Sequence, residues 1–284
     1  MKYAGLAELG WTEGLEADFT PYGQQGFQPA RVIAEYRERY IVETINGEMP
    51  AEVTGRFEFS ASCSADFPKT GDWTAAQVFE GEKKAIIHAV LPRRTCFSRK
   101  AAGLKAEEQV IAANVDLLFI VQGLDNNYNT MRLIRYITAA DAAKIPPLVI
   151  LNKADLNCEA EKIAAETAEL VKPVRVLLVS AKTGQGMDTL KSIMKSGMTH
   201  AFAGSSGAGK STLINAIAGR EIALTSEVRE DDSRGRHTTV TRQLYRLAGY
   251  GLVMDTPGMR ELALWNEAGI NSPGFDIISA YAEK

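Results

Sequence analysis

The sequence predicts two domains, a small all-β barrel followed by a larger α/β domain with a parallel sheet. The first observation is a series of short β-like segments between turn signals, at residues 31–36, 40–45, 51–59, 73–79 and 85–91. The second is a change after residue 109 to continuous apolar strands that alternate with amphipathic helical segments. With 284 residues, the chain is long enough to bury two cores.

The composition is that of an ordinary globular protein, with 45% apolar and 24% charged residues. A formal net charge of -3 excludes a protein that is basic throughout but allows a local basic face. The three cysteines, Cys63, Cys96 and Cys158, are far apart and odd in number, so we expect no disulfide framework and a reducing compartment. There is no signal segment and no apolar run near the ~20 residues of a membrane span. We therefore expect a cytoplasmic protein with no membrane partner.

The all-β part is predicted to occupy residues 29–92, after an N-terminal arm at residues 1–28 that packs on the segment C-terminal to it. Five short strands in one small domain favour an OB-fold, the five-stranded barrel that commonly binds nucleic acid. A small SH3-like barrel or a sandwich fits the same strand spacing.

A basic, irregular linker is predicted at residues 93–108. Such charge runs are usually solvated connections. Beside an OB barrel, the linker is equally compatible with contacts to an RNA phosphate backbone. The candidate RNA-binding residues are Arg93, Arg94, Arg99 and Lys100.

The α/β domain is predicted at residues 109–265, and it contains a G-x-x-x-x-G-K-S pattern between an apolar strand and a helix. In that context the glycines let backbone N–H groups surround phosphate oxygens at a helix N-terminus. Lys210 can reach the β- and γ-phosphates, and the Ser211 hydroxyl can ligate Mg²⁺. The predicted phosphate loop consists of Gly204, Ser205, Ser206, Gly207, Ala208, Gly209, Lys210, Ser211 and Thr212.

The tetrapeptide Asn152-Lys153-Ala154-Asp155 directly follows the apolar strand at residues 148–151, where ligands of open α/β sheets bind. The Asp155 carboxylate can accept guanine N1–H and N2–H together, a donor pair that adenine lacks. The Lys153 stem can cover the face of the base, and the Asn152 amide can hold the loop. Alone, this tetrapeptide is more often a helix start with a capping aspartate.

Three further segments support a guanine nucleotide site. Ser180-Ala181-Lys182 follows the next strand, where the Ala181 N–H can meet guanine O6. Asp255-Thr256-Pro257-Gly258 closes another strand, with Asp255 predicted to hold Mg²⁺ through water and the Gly258 N–H to sense a γ-phosphate. The polar stretch at residues 229–241 resembles a switch loop in which Thr239 or Thr238 ligates Mg²⁺. Together these segments predict GTP or GDP with Mg²⁺ as ligands.

The order of these motifs is unusual, because N-K-A-D and S-A-K precede the phosphate loop. The motifs keep their positions in space if the original chain ends are joined and new ends are opened before the half of the domain that carries N-K-A-D and S-A-K. This circular permutation is tolerated when the ends of a domain lie close together. The predicted fold class is therefore a circularly permuted α/β P-loop GTPase domain preceded by an OB-fold barrel.

This combination resembles the RsgA (YjeQ/YloQ) family of ribosome-assembly GTPases. The resemblance covers residues 28–284, and its motifs are GDW at 71–73, LPRR at 91–94, FSRKAAG at 97–103, EQVIAANVD at 108–116, GRHTT at 235–239 and DTPGMREL at 255–262. It implies binding to the small ribosomal subunit and its rRNA, and GTP hydrolysis stimulated by that subunit late in its maturation. We expect a monomer.

The chain departs from the family pattern after His237, beyond which it has no cysteine or histidine. The family continues into a small domain with a Cys/His zinc site, whereas residues 266–284 resemble only the start of that region. We therefore expect a truncated C-terminal region and no zinc.

Met259 stands where Ras-like enzymes place the glutamine that orients the attacking water, so intrinsic hydrolysis should be slow. His237 is the candidate catalytic residue for this role, since an imidazole accepts or donates near neutral pH. Contact with rRNA or solvent is the alternative for His237. The leading hypothesis is an assembly-factor GTPase. The alternatives are a GTP-regulated RNA- or ribosome-binding module with negligible hydrolysis, and a small-metabolite kinase, which N-K-A-D disfavours.

Overall fold

A computed structural model describes residues 2–36, 39–100, 108–125, 127–223 and 242–255. The chain divides into two compact units. The first comprises Met1–Val115, Ser196–Thr199 and Thr238–Met254, and the second comprises Asp116–Lys195, His200–His237 and Asp255–Lys284. The domain boundaries expected from the sequence stay predictions.

The first unit contains a closed five-stranded barrel. Its strands are β1 (Gln28–Glu35), β2 (Tyr40–Thr44), β3 (Gly47–Val53), β4 (Trp73–Phe79) and β5 (Lys84–Val90). The strands pair in the order β1-β2-β3-β5-β4, and β4 pairs back with β1, while β3 and β5 run parallel. This arrangement confirms the predicted OB-type barrel and decides against the SH3-like alternative.

The barrel core follows from the alternation of side chains along the strands. In β2 the side chains of Tyr40, Val42 and Thr44 are buried, and the residues between them are partly exposed. Val42 packs in one cluster with Val32 of β1 and Ile87 of β5. Because successive side chains of a strand point to opposite faces, this period-2 pattern closes one apolar interior.

The predicted third strand at residues 51–59 is wrong beyond Val53, because a short helix, α2 (Gly55–Ser60), follows it. The Thr54 hydroxyl accepts a hydrogen bond from the Phe57 N–H at 3.0 Å, which caps this helix. Phe57 and Phe59 alternate as in a strand, but Phe59 is 95% exposed. The capping residue therefore decides the local structure over the apolar alternation.

The predicted irregular linker is also wrong in part, because it contains a β-strand. Strand β6 (Cys96–Lys100) pairs antiparallel with β7 (Glu108–Ala113). Phe97 and Val110 on these two strands are buried. Two of the four basic residues, Arg99 and Lys100, therefore belong to a hairpin anchored by apolar side chains.

The N-terminal arm is ordered and packs on the barrel. It forms a 3-10 helix (Ala4–Leu9) and helix α1 (Glu13–Gly23). The Trp11 ring packs edge-on against Trp73 of β4, with 4.8 Å between ring centroids. The buried Arg31 of β1 donates hydrogen bonds to the Leu9 carbonyl and, at 2.7 Å, to the Thr199 hydroxyl.

The first unit also includes β12 (Arg242–Leu247) and β13 (Gly251–Asp255), except that Asp255 itself is assigned to the second unit. Ala34 of β1 pairs antiparallel with Gln243 of β12, and the strand order is β13-β12-β1. Cys63, Cys96 and Cys158 are not joined in disulfide bonds. In the described part of the chain, no helix has the length and apolar character needed to cross a membrane.

The second unit is built on a parallel sheet of four strands, β8 (Leu117–Gly123), β9 (Pro147–Asn152), β10 (Val176–Leu178) and β11 (Thr199–Ala203), of which Thr199 alone is assigned to the first unit. Their order in the sheet is β10-β9-β8-β11. Of these four strands, β11 comes last in the sequence and precedes the phosphate loop, but it lies beside β8, which comes first. The helices of this unit are α3 (Thr130–Ala142), α4 (Ala160–Leu170), α5 (Met187–Ile193) and α6 (Lys210–Ala218).

Candidate guanine nucleotide site

Asn152, the last residue of β9, joins three loops. Its Nδ2 donates a hydrogen bond to the Ala208 carbonyl of the phosphate loop at 3.0 Å. Its Oδ1 accepts a hydrogen bond from the Ala181 N–H at 3.4 Å. Only 2% of Asn152 is exposed, so these bonds form away from water. The three predicted motif segments therefore meet at one place in the second unit.

The Asp155 carboxylate lies at the exposed rim of this site, in a 3-10 turn that begins after Lys153. The Ser180 hydroxyl donates to Asp155 Oδ1 at 2.6 Å and accepts from the Thr183 N–H at 3.1 Å. Ser180 is completely buried. The serine of the S-A-K segment thus fixes the orientation of the carboxylate that is predicted to recognise the base.

Lys153 has a left-handed backbone conformation, with a φ of 64°. Its ammonium group forms an ion pair with Asp125, in the segment between β8 and α3. Both side chains are about one-third exposed. Because the ammonium group is held at Asp125, the aliphatic stem of Lys153 is fixed along one wall of the site.

The phosphate loop connects β11 to α6, as the sequence predicts. The Lys210 ammonium group donates to the carbonyl oxygens of Gly204 and Ser205, at 2.8 and 2.9 Å. Gly209 has a φ of 91°, and a Cβ atom there would lie 2.3 Å from Asn152 Nδ2. We call the N-K-A-D segment, residues 152–155, the base loop. A side chain at position 209 would therefore break the contact between the phosphate loop and the base loop.

A pocket of about 200 Å³ lies between these loops. Its lining includes Leu156, which is 61% exposed and which the sequence did not single out. The other lining residues are Asn152, Lys153, Asp155, Ser180, Ala181, Lys182, Gly209 and Thr212, all of them predicted site residues.

Two further residues contact the site without having been predicted, Asp125 and Asn127. Asp125 pairs with Lys153, and Asn127 hydrogen-bonds to Ser205 and Ser206 of the phosphate loop. Both lie in a polar loop between a strand and a helix, where aspartate and asparagine are ordinary turn residues. The only signal in the sequence for a role of Asp125 and Asn127 was their position just after the end of strand β8.

Several predicted residues lie outside the described part of the chain. His237, Thr238, Thr239 and Gly258 are among them, so their roles stay predictions. Asp255 ends strand β13, and its side chain is not described. Among the described residues, no group of three or more His, Cys, Asp or Glu side chains is arranged to hold a metal ion.

Arg93, one of the predicted RNA contacts, is bonded to other residues of the first unit. Its guanidinium group forms a bidentate ion pair with Asp72, at 2.9 and 2.7 Å, and donates to the carbonyl oxygens of Ala65 and Phe67. These bonds favour a structural role over a phosphate contact. Arg94 is exposed. Arg99 and Lys100 lie on β6, and their side chains are not described.

The RsgA GTPase family model matches residues 90–265. The chain is 41% identical over 268 residues to the small ribosomal subunit biogenesis GTPase RsgA of Opitutus terrae, covering 92% of this chain and 73% of that protein. It is 39% identical over 287 residues to the protein of the same name from Syntrophotalea carbinolica, covering 98% and 78%.

Two crystal structures share the fold. YjeQ from Thermotoga maritima superimposes with a TM-score of 0.64 at 24% identity, covering 84% of this chain and 77% of that one. YloQ, described as a circularly permuted GTPase, gives a TM-score of 0.59 at 20% identity, covering 84% and 74%. These similarities confirm the predicted permuted fold class. Together with the family match and the sequence identities, they show that this chain is a GTPase of the RsgA family.

Proposed function

We propose that this GTPase binds GTP and GDP in the pocket between the base loop and the phosphate loop, and that it assists late maturation of the small ribosomal subunit. The observation that carries the nucleotide site is the pair of hydrogen bonds made by the Asn152 side chain, which donates to the Ala208 carbonyl and accepts from the Ala181 N–H. They hold the N-K-A-D, S-A-K and phosphate-loop segments together although these lie far apart in sequence.

Base recognition is assigned to Asp155. Its carboxylate accepts guanine N1–H and N2–H in one plane, while the Ser180 hydroxyl holds one of its oxygens. The stem of Lys153 and the exposed side chain of Leu156 provide apolar contacts for the ring. The Ala181 N–H is assigned to guanine O6.

Phosphate binding is assigned to the loop N–H groups from Gly204 to Thr212 and to Lys210. The partly buried hydroxyl of Ser211, in the first turn of α6, is a hard oxygen donor that suits Mg²⁺. Thr239 and Asp255 are its proposed companions in holding the ion. Bound Mg²⁺ neutralises charge that develops on the phosphates. Lys182 lines the rim of the pocket beside the base.

Hydrolysis is proposed to depend on His237 as the residue that orients water, since Met259 cannot do so. We expect His237→Ala to bind GDP as tightly as the wild type and to lose most of the turnover measured on small subunits. An unchanged turnover on small subunits would show that another residue orients the water.

The proposed partner is the small ribosomal subunit, because the relatives are named as GTPases of its biogenesis. The OB-type barrel and the exposed Arg94, with Arg99 and Lys100 on the hairpin, are proposed to contact its rRNA in the cytoplasm. The test is steady-state GTP turnover with and without isolated small subunits. Stimulation supports the proposal, whereas binding without stimulation supports a GTP-regulated ribosome-binding module.

A further inference from the structure

In the segment between β8 and α3, the side chain of Asn127 contacts the phosphate loop. The Ser205 hydroxyl donates a hydrogen bond to Asn127 Oδ1 at 2.9 Å. Asn127 Nδ2 in turn donates to the Ser206 carbonyl at 2.8 Å. One amide group thus engages two consecutive residues of the loop.

The orientation of this amide is fixed from its other side by Arg132. Arg132 Nη2 donates to Asn127 Oδ1 at 3.0 Å, to the buried Gln122 Oε1 at 3.1 Å, and to the Asn127 backbone carbonyl. A guanidinium group has only donors, so the amide oxygen, not the nitrogen, must face Arg132. The Nδ2 group therefore faces the Ser206 carbonyl, which makes it the donor to the loop.

The bond to the Ser206 carbonyl also orients the N–H of the next residue. The peptide that joins Ser206 to Gly207 is planar and trans, so its C=O and N–H point in opposite directions. Holding the carbonyl toward Asn127 turns the Gly207 N–H away from Asn127. Gly207 has a φ of 76°, which suits this position to glycine.

We propose that Asn127 is a positioning residue for phosphate binding, because it holds the Ser206–Gly207 peptide with its N–H directed at the phosphates. This inference rests on the proposed nucleotide site. Asn127 itself does not touch the nucleotide. It acts through the Gly207 N–H, and Arg132 and Gln122 support it.

Loss of the Asn127 amide removes the tether on the Ser206 carbonyl and leaves the peptide free to rotate. We expect Asn127→Ala to weaken GDP binding about tenfold or more, the factor carried by one hydrogen bond to a charged group. Guanosine has no phosphate, and the base loop makes no bond to Asn127. The affinity of the Asn127→Ala variant for guanosine should therefore stay within about twofold of that of the wild type.

The experiment is displacement of a fluorescent GDP analogue from the full chain by GDP and, separately, by guanosine. Asn46→Ala is the matched control, because the Asn46 amide also donates one bond at 2.8 Å, to Glu80 on the barrel surface. We expect this control to bind both ligands as the wild type does. An Asn127→Ala variant that binds GDP within about twofold of the wild type would overturn the proposal, as would an equal loss for guanosine.

Asn127→Asp is the second variant, in case the alanine variant does not fold. It retains the oxygen that Ser205 and Arg132 contact, and it replaces the donor to Ser206 with a second acceptor oxygen that shares the negative charge of the carboxylate. We expect weaker GDP binding with guanosine binding unchanged, and GDP binding equal to that of the wild type would contradict the proposal. Failure of the wild type to bind GDP at all would instead overturn the nucleotide site itself.

Discussion

Arg93→Ala should destabilise the barrel rather than only weaken RNA binding. The Asp72 carboxylate is completely buried, and the Arg93 side chain, 17% exposed, supplies two hydrogen bonds to it. The same substitution removes the donors to the carbonyl oxygens of Ala65 and Phe67. Removing one partner of a buried ion pair costs about 3–5 kcal/mol, because the other charge stays buried without its counter-ion.

The pH dependence gives this prediction a second test. Burial raises the pKa of the Asp72 carboxyl, and the hydrogen bonds and charge of Arg93 only partly offset that effect. Without Arg93 the folded-state pKa rises further. The penalty of the ionised carboxylate is then complete above the folded-state pKa, shrinks as the pH falls towards the ordinary pKa of an aspartate, and is gone below that value. The stability deficit of Arg93→Ala should therefore be largest near pH 7 and shrink as the pH falls.

The assay is urea unfolding at pH 7 and pH 5, followed by tryptophan fluorescence, to which Trp11 and Trp73 of the first unit contribute. Adding Asp72→Asn to Arg93→Ala should recover part of the loss. Arg56→Ala, at an exposed position on α2, is the control and should change the free energy of unfolding by less than about 0.5 kcal/mol. A loss below about 1 kcal/mol for Arg93→Ala, equal at both pH values, would refute the structural role and restore Arg93 as an RNA contact.

Two further predictions concern the nucleotide site. Asp155→Asn removes a charged acceptor of two hydrogen bonds, so GTP binding should weaken about a hundredfold or more, measured by displacement of fluorescent GDP. An undiminished affinity would exclude Asp155 from base recognition. Gly209→Ala forces a Cβ to within 2.3 Å of Asn152 Nδ2 and should lower nucleotide affinity and thermal stability together. Gly219→Ala is the matched control, with positive φ but no atom within 4 Å, so equal effects of the two substitutions would contradict the clash.

Much of the fold could be predicted because the decisive patterns are local. The alternation of Tyr40, Val42 and Thr44 indicates a half-buried strand, and the continuous apolar run of β8 indicates a buried parallel strand. The helix at Gly55–Ser60 was missed because Phe57 and Phe59 continue a strand-like alternation, while the Thr54 cap stops it. The hairpin strand Cys96–Lys100 was missed because its arginine and lysine residues continue a charge run that is typical of a solvated linker.

In the candidate site, too, some residues could be predicted from the sequence and others could not. The N-K-A-D and phosphate-loop segments could be predicted because each motif places a definite chemical group at the end of a strand. The bidentate pair of Arg93 with Asp72 could not, because its partners are 21 residues apart and nothing in a basic run distinguishes a paired arginine from a solvated one. The role of Asn127 could not be predicted either, since it depends on the carbonyl of Ser206, which is 79 residues away.

Displacement of fluorescent GDP by unlabelled GTP and by unlabelled ATP tests the central claim most directly. Because Asp155, held by Ser180, can pair with the N1–H and N2–H of guanine but finds no such pair on adenine, GTP should displace the probe. ATP at the concentration of GTP that displaces half of the probe should leave most of the probe bound, because losing two hydrogen bonds to a charged acceptor weakens binding about a hundredfold. Equal displacement by ATP would contradict the assignment of this pocket to guanine nucleotides.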